Sequence, residues 1–356
     1  MKAGPYDKHL RQRMQLALAR YRLLFHHPFG TAHGLRDGTD SVFVRLSNDG
    51  LHGYGEATLP PYLPHSQDSV HEELARIDLN RIPLLLTDPS AALTPPARAA
   101  LSLAYYDLIS KEILVSISSY LTIPDGARSK AMAMVTLGHS KLGEIALKLT
   151  ELPQMAVLKV KLGSADDEGT LESIKSLDDR PLFLDANQGW TSVGQAMKAI
   201  AVAGEGRVLG LEQPFAKERW DLHAELRRST RIPVYGDESI QGLADLERAP
   251  EAFDGVNLKL VKCGGLDRAM AMAERAAELG LKVMLGSMSE SSLGCGAMVH
   301  LAGMAELVDL DGPWLVRNDP FCGLGLRDGR LTLDGSVGVG VRPRSGHALD
   351  WIPIGA

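Results

Sequence analysis

The feature that most limits the fold lies after about Lys130, where eight short β-rich runs alternate with helical or polar stretches. In order they read AMAMVTL, AVLKVKL, PLFLDAN, RVLGLEQPF, IPVYGDES, GVNLKLVK, LKVMLGS and ELVDLDG. A helix-forming stretch such as AMAMAERAAELG, after the sixth run, is long enough to cross back over a sheet, so successive strands run parallel. Eight such units in roughly 200 residues close on themselves as a (β/α)8-type barrel. Barrel enzymes place their chemistry at the C-terminal ends of the strands, so the residues ending each run are the candidates for function.

In Val157–Gly163, VLKVKLG, apolar and charged residues alternate, which puts Lys159 and Lys161 on one face of a strand. That face is either solvated or turned into the barrel. Asp185 follows Lys161 by 24 residues, Glu212 follows by a further 27, Asp237 by 25 and Lys259 by 22. These steps match the strand repeat, so the five residues occupy equivalent places in successive units. A single aspartate ending a strand is commonly a helix N-cap, and Asp237 in GDES is open to that reading. Three carboxylates facing one axis instead repel unless a cation lies between them. Oxygen donors without His or Cys favour Mg2+ over zinc, and one divalent ion per chain is expected. Lys159 and Lys161 come from the second strand and Lys259 from the sixth, roughly opposite in an eight-stranded barrel. Burial, a neighbouring ammonium and a nearby cation lower a lysine's pKa towards the range of a useful base. Lys159 is expected to act on Lys161 in this way, with both lysines facing inward.

The first third reads as a small α+β unit. Residues 14–25, MQLALARYRLLF, form a strand, HHPFGTAHGLRDGTD (26–40) a loop, and SVFVRLSNDGLHGYGEA a hairpin turning at Asn48-Asp49-Gly50. Helices are expected near Ser69–Ile77 and from about Ala97 to Glu112. The turn-rich segment from about Phe321 packs back on this unit. The expected parts are therefore residues 1–128, 129–320 and 321–356. A net charge of −6 without a basic run argues against nucleic acid or an anionic membrane as partner. No apolar run approaches the roughly 20 residues of a membrane span, and MKAGPYDKHLRQ lacks a signal peptide's apolar region. Three cysteines, Cys263, Cys295 and Cys322, without metal-binding spacing, fit a reducing cytoplasm.

The motifs KVK, LDAN, EQP, GDES and NLKLVKCGG, in this order and spacing, resemble the enolase superfamily and specifically its muconate-lactonizing branch. ARAALSLAYYDLISKE resembles that family's capping-domain helix, GYGEATLPPYL resembles its pocket-covering loop, and the resemblance spans nearly the whole chain. It implies a (β/α)7β modified TIM barrel under an α+β capping domain built from both chain ends. It also implies Asp185, Glu212 and Asp237 as Mg2+ ligands, with Lys161 and Lys259 as paired acid/base catalysts assisted by Lys159. A lysine or histidine base beside one or two Mg2+ ions is the general pattern of such sites.

ELVDLDGPW narrows the choice. Asp309 and Asp311 are two apart on the eighth strand. They form either a strand-end turn or a carboxylate pair that grips an ammonium group. A DxD here resembles the dipeptide epimerases, L-Ala-D/L-Glu epimerase among them. The implied reaction inverts the α-carbon of a dipeptide's C-terminal residue, by 1,1-proton transfer between two lysines through a metal-stabilised enediolate. The alternatives in the branch are an o-succinylbenzoate synthase-like lyase and an N-acyl amino acid racemase. A non-catalytic metal-binding barrel would be expected to have lost a lysine or a ligand, and here all are present. The cap loops at 26–38 and 56–63 are expected to cover the substrate's second side chain. There Arg36 either meets an acidic group such as glutamate's, as in cell-wall peptide metabolism, or pairs with Asp37. His26, His27 and His33 either line the pocket or are simply exposed. Ser287, Met288 and Ser289, after the seventh strand, are pocket candidates by position, and KCGG is a tight turn with no ligand. A small-molecule dipeptide is the expected partner, and a homo-oligomer is compatible with the family's symmetric assemblies.

Overall fold

A computed structural model of the chain describes residues 14–31, 34–88, 93–123, 131–347 and 349–355. The cap begins with β1 (Gln15–Thr31), β2 (Gly34–Asn48) and β3 (Leu51–Leu59), all antiparallel. Ile352–Ile354 pairs antiparallel with β1, placing Leu16 opposite Ile354, so both ends of the chain build this sheet. Asp49 and Gly50 have φ of 46° and 85°, the left-handed pair that a two-residue hairpin between β2 and β3 requires.

The loop expected at residues 26–40 is a correction. The chain stays in β1 to Thr31 and re-enters the sheet at Gly34, with a register shift between the Leu24 and Phe29 pairings. Histidine and glycine favour a loop locally, but continued pairing along the partner strand overrides that preference. His33 and the expected boundary at 128/129 lie outside the described residues.

The helix Pro95–Glu112 is buried from Pro96 to Ser110 and lies across β3. Two glycines allow this approach, because a Cβ at Gly53 would stand 2.1 Å from the Ala104 carbonyl oxygen and one at Gly55 1.9 Å from that of Ala100. The earlier helix spans Gln67–Ala75 and starts at a Ser66–Ser69 capping box. Two further helices, Ile82–Thr87 and Ile117–Leu121, were not anticipated, being too short to carry a periodic signal.

All eight anticipated runs are strands: β4 (Met132–Leu137), β5 (Val157–Lys161), β6 (Leu182–Asp185), β7 (Val208–Glu212), β8 (Val234–Gly236), β9 (Gly255–Lys259), β10 (Lys282–Gly286) and β11 (Leu307–Asp309). They close in that order into a parallel barrel, β11 pairing with β4. A helix follows each of β4 to β10, whereas β11 is followed by the single turn Gly312–Leu315, giving (β/α)7β. Met134, Val157, Phe183, Tyr235, Met284 and Leu307 form a separate apolar cluster, one from each of six strands. The Phe183 and Tyr235 rings meet edge to face at 5.3 Å, in space left by Gly210 and Gly255. Among the described residues no helix is long and apolar enough to cross a membrane.

Candidate active site

Register sets the site. Lys161 is the lateral partner of Asp185, and Asp185 of Glu212, while Gly286 stands between Lys259 and Asp309. Residues at matched exit positions of a closed sheet point to the same side. Here that side is the barrel axis, and every residue of β5 is buried, Lys159 at 1% exposure. The lysines of VLKVKLG therefore face inward.

The Lys159 ammonium lies 2.6 Å from Asp309 Oδ2, 2.7 Å from Glu212 Oε2 and 3.0 Å from Asp185 Oδ2. Lys161 donates to Asp185 Oδ2 at 2.5 Å, and Lys259 to Asp237 Oδ2 at 2.7 Å. Burial alone would lower the Lys259 pKa, but Asp237 and Glu212 outweigh it and hold the ammonium well above its ordinary range. Lys159 is raised for the same reason, with Asp309, Glu212 and Asp185 overcoming burial. The direction at Lys259 is opposite to that of a ready base, so these carboxylates hold it as an acid unless another cation shares them. Burial and neighbouring carboxylates push Glu212 up to about 7 and the adjacent Glu238 up to about 8.

Several residues that shape this centre were not singled out in the sequence. Asn257 donates from Nδ2 to Glu212 Oε1 at 2.7 Å, and Gly286 gives its side chain room. The Gln213 carboxamide oxygen accepts the Asp237 and Ser239 N–H groups, and its nitrogen donates to Ser239 Oγ, fixing the GDES turn. The Lys262 ammonium is buried against Asp237 Oδ1 and the carbonyls of Asp237, Ile240 and Asn257. Asn187, Gln188, Gln213 and Ser289 follow strand exits with φ of 43°, 70°, 37° and 66°. Left-handed backbone at non-glycine residues costs free energy, and it is concentrated here at the barrel mouth.

Above the centre is a cavity of about 440 Å3 lined by the lysines, Asp237, Asp309, Asp311, Ser287, Met288 and Ser289. Asp185 and Glu212 lie beneath it, fully buried. Thr136 links the DxD pair to β4: its N–H donates to Asp311 Oδ2 at 2.6 Å and its hydroxyl to Asp309 Oδ1 at 3.2 Å. The cap supplies Tyr62, Leu63 and Pro64 to the cavity wall, together with Arg36 from β2. Arg36 does not pair with Asp37, which is held by Arg22 at 2.7 Å. Its guanidinium stands 5.6 Å from the ring centres of both Phe25 and Tyr62, and its buried Nε and Nη1 have no hydrogen-bond partner among the described residues. His26 and His27 line a neighbouring cavity instead, with His27 Nε2 2.5 Å from Glu151.

The donor set fits a hard divalent cation. Asp185, Glu212, Asp237 and Glu238 offer carboxylate oxygens, and burial, then the neighbouring aspartates, raises Glu212 and Glu238 as expected of carboxylates gathered without a cation. Among the described residues no three such side chains are clustered as they stand, because lysine ammonium groups lie between them.

The family profile described as enolase C-terminal domain-like matches residues 142–346. The chain is 34% identical to an L-Ala-D/L-Glu epimerase of Bacteroides thetaiotaomicron, over 92% of this chain and 88% of that one. It is 31% identical to an L-Ala-D/L-amino acid epimerase of Flavobacterium johnsoniae, over 92% and 99% respectively. A dipeptide epimerase of Enterococcus faecalis, crystallised with Mg and L-Leu-L-Tyr, superposes with a TM-score of 0.81 at 25% identity, covering 93% of this chain and 99% of that one. The chain belongs to the enolase superfamily, and its barrel and cap have the fold of that family's solved members. Within it the chain is a member of the dipeptide epimerase family of the muconate-lactonizing branch, and it is an isomerase of the racemase and epimerase class.

Proposed function

We propose that the enzyme inverts the α-carbon of the C-terminal residue of a dipeptide. The observation that carries this reading is the placement of Lys161 and Lys259 at the exits of the second and sixth strands of an eight-stranded barrel, each against a carboxylate of the buried centre. A reacting carbon held over that centre has one amine on each face, the arrangement that inversion needs. Asp185, Glu212 and Asp237 would hold a Mg2+ ion, which supplies a Lewis acid for the substrate carboxylate and for the charge developing as the α-proton leaves. One lysine takes the proton, the other returns it to the opposite face, and the roles exchange in the reverse direction. Lys159, buried one layer deeper, keeps a positive charge beside the developing oxyanion. Asp309 and Asp311, fixed by Thr136, receive the substrate's α-ammonium group.

Arg36 supports an acidic side chain on the C-terminal residue. Two of its guanidinium nitrogens are buried without hydrogen bonds, and burial lowers its pKa, both of which a substrate carboxylate would offset. This favours a dipeptide that ends in an acidic residue such as glutamate.

The test is deuterium exchange at the C-terminal α-carbon in D2O with Mg2+, followed by mass spectrometry. Lys161→Ala should lose at least about 10²-fold in turnover while keeping its fold, general acid–base groups contributing typically 10²–10⁴. Full activity in that variant would remove Lys161 from the reaction.

A further inference from the structure

A second cavity of about 500 Å3 adjoins the first, and no role has yet been given to it. It lies between β1 of the cap, the exit of β4, the helix Leu142–Glu151 and the turn after β11. The two cavities share Thr136 and Leu315, and Thr136 is the residue that holds Asp309 and Asp311. The second cavity therefore opens beside the carboxylates that take the α-ammonium.

We infer that this cavity is the subsite for the side chain of the substrate's N-terminal residue, and that it selects a large apolar or aromatic one. The inference rests on the dipeptide reading above. In a dipeptide the N-terminal side chain and the ammonium share one carbon, so once the ammonium is on Asp309 and Asp311 the side chain must lie next to Thr136. From there the peptide bond runs towards the lysines, which leaves the second cavity for the side chain.

The walls decide the chemistry. Phe25, Leu137, Leu152, Pro313, Trp314 and Leu315 present apolar surface to the cavity. Phe25 belongs to a small apolar cluster with Leu23 and Val316, separate from the main core and packed against Leu315. His27, Lys148 and Glu151 of the wall are already engaged. His27 meets Glu151 at 2.5 Å, and Lys148 donates to Ser140 Oγ at 2.9 Å with Glu144 3.6 Å away. Among the described residues Lys148 and Glu151 thus already have partners, and an alanine methyl would leave most of the apolar wall against water. His27 and Pro28 are exposed, so the far end opens outward and tolerates length.

The experiment compares kcat/KM for deuterium exchange across two matched series, X-Glu and X-Leu, with X as Ala, Leu or Phe and Mg2+ present. Within whichever series is exchanged, Leu and Phe should exceed Ala by at least about tenfold, the value of burying two to three additional carbons. Filling the cavity by Leu152→Trp should lower the Leu-to-Ala ratio by a similar factor. Ala equal to or better than Leu in the wild-type enzyme overturns the inference even if the variant fails to fold, and so does an unchanged ratio in a folded variant. Absence of exchange on every dipeptide overturns the dipeptide reading itself, and this inference with it.

Discussion

Acetylating the amino group of the dipeptide separates the dipeptide reading from its rivals in the branch, which act on substrates without a free ammonium. The two aspartates of the DxD pair are not equivalent. Asp309 is neutralised by Lys159 at 2.6 Å, whereas Asp311, buried at 3% exposure, has no ion-pair partner among the described residues. Asp311 is thus the stronger attraction for an ammonium, and blocking the amine removes one charge-assisted contact from a buried carboxylate. Such a contact is worth about 1.5–3 kcal/mol, so kcat/KM should fall about 10–150-fold at 1.4 kcal/mol per tenfold change. Asp311→Asn keeps an oxygen for the Thr136 N–H and loses only the charge. It should weaken free dipeptides by a similar factor and leave acetylated ones unaffected.

A pH dependence accompanies this. Burial, then Asp309, pushes Asp311 up to about 7. Below that value the carboxyl is neutral and attracts the ammonium weakly; above it the carboxylate is available, while an α-amino group stays charged up to about 8. For free dipeptides kcat/KM should therefore rise as pH increases through about 7, and Asp311→Asn should remove that rise. Equal kcat/KM for free and acetylated dipeptides would refute the ammonium site, return Asp309 and Asp311 to the role of a strand-end turn, and favour the N-acyl racemase.

Two further predictions concern the scaffold. Arg98, 2% exposed, joins the cap helix to Asp267 at 2.8 Å and to the carbonyls of Gly264 and Leu86. Arg98→Leu takes the partner from a half-buried carboxylate and from two carbonyls and should cost about 3 kcal/mol, read as a lower urea midpoint. His223 donates from Nδ1 to the Arg219 carbonyl at 2.8 Å, and burial pushes its pKa down to about 4. Its folded value lies below the unfolded one, so it contributes nothing above pH about 6.5. As pH falls from there to about 4 the unfolded chain takes up the proton first and stability declines by about 3 kcal/mol. His223→Gln should flatten that slope in acid titrations of stability.

The barrel was legible because each of its strands carries a short, repeated pattern. The charged residues of the centre were legible because they fall one strand repeat apart. Asn257 was within reach of the same logic, being two residues before Lys259 and so on the same face of β9. The contacts of Gln213 and Lys262 were not, since they cross to the GDES turn 22 to 26 residues away, and no local pattern records which turn a side chain meets. The cap shows the opposite failure. Residues 26–40 read as a loop on composition, and a loop leaves Arg36 free to pair with its neighbour Asp37. Once Gly34–Asn48 is a strand, adjacent residues point to opposite faces. Asp37 turns to Arg22 on the partner strand, and Arg36 turns to Phe25, Tyr62 and the pocket. The carboxylates and lysines proposed to carry the reaction are thus written in the periodic barrel. On the proposed reading, the choice of substrate side chain turns on a hairpin whose pairing, and not its composition, aims Arg36 at the site from the cap.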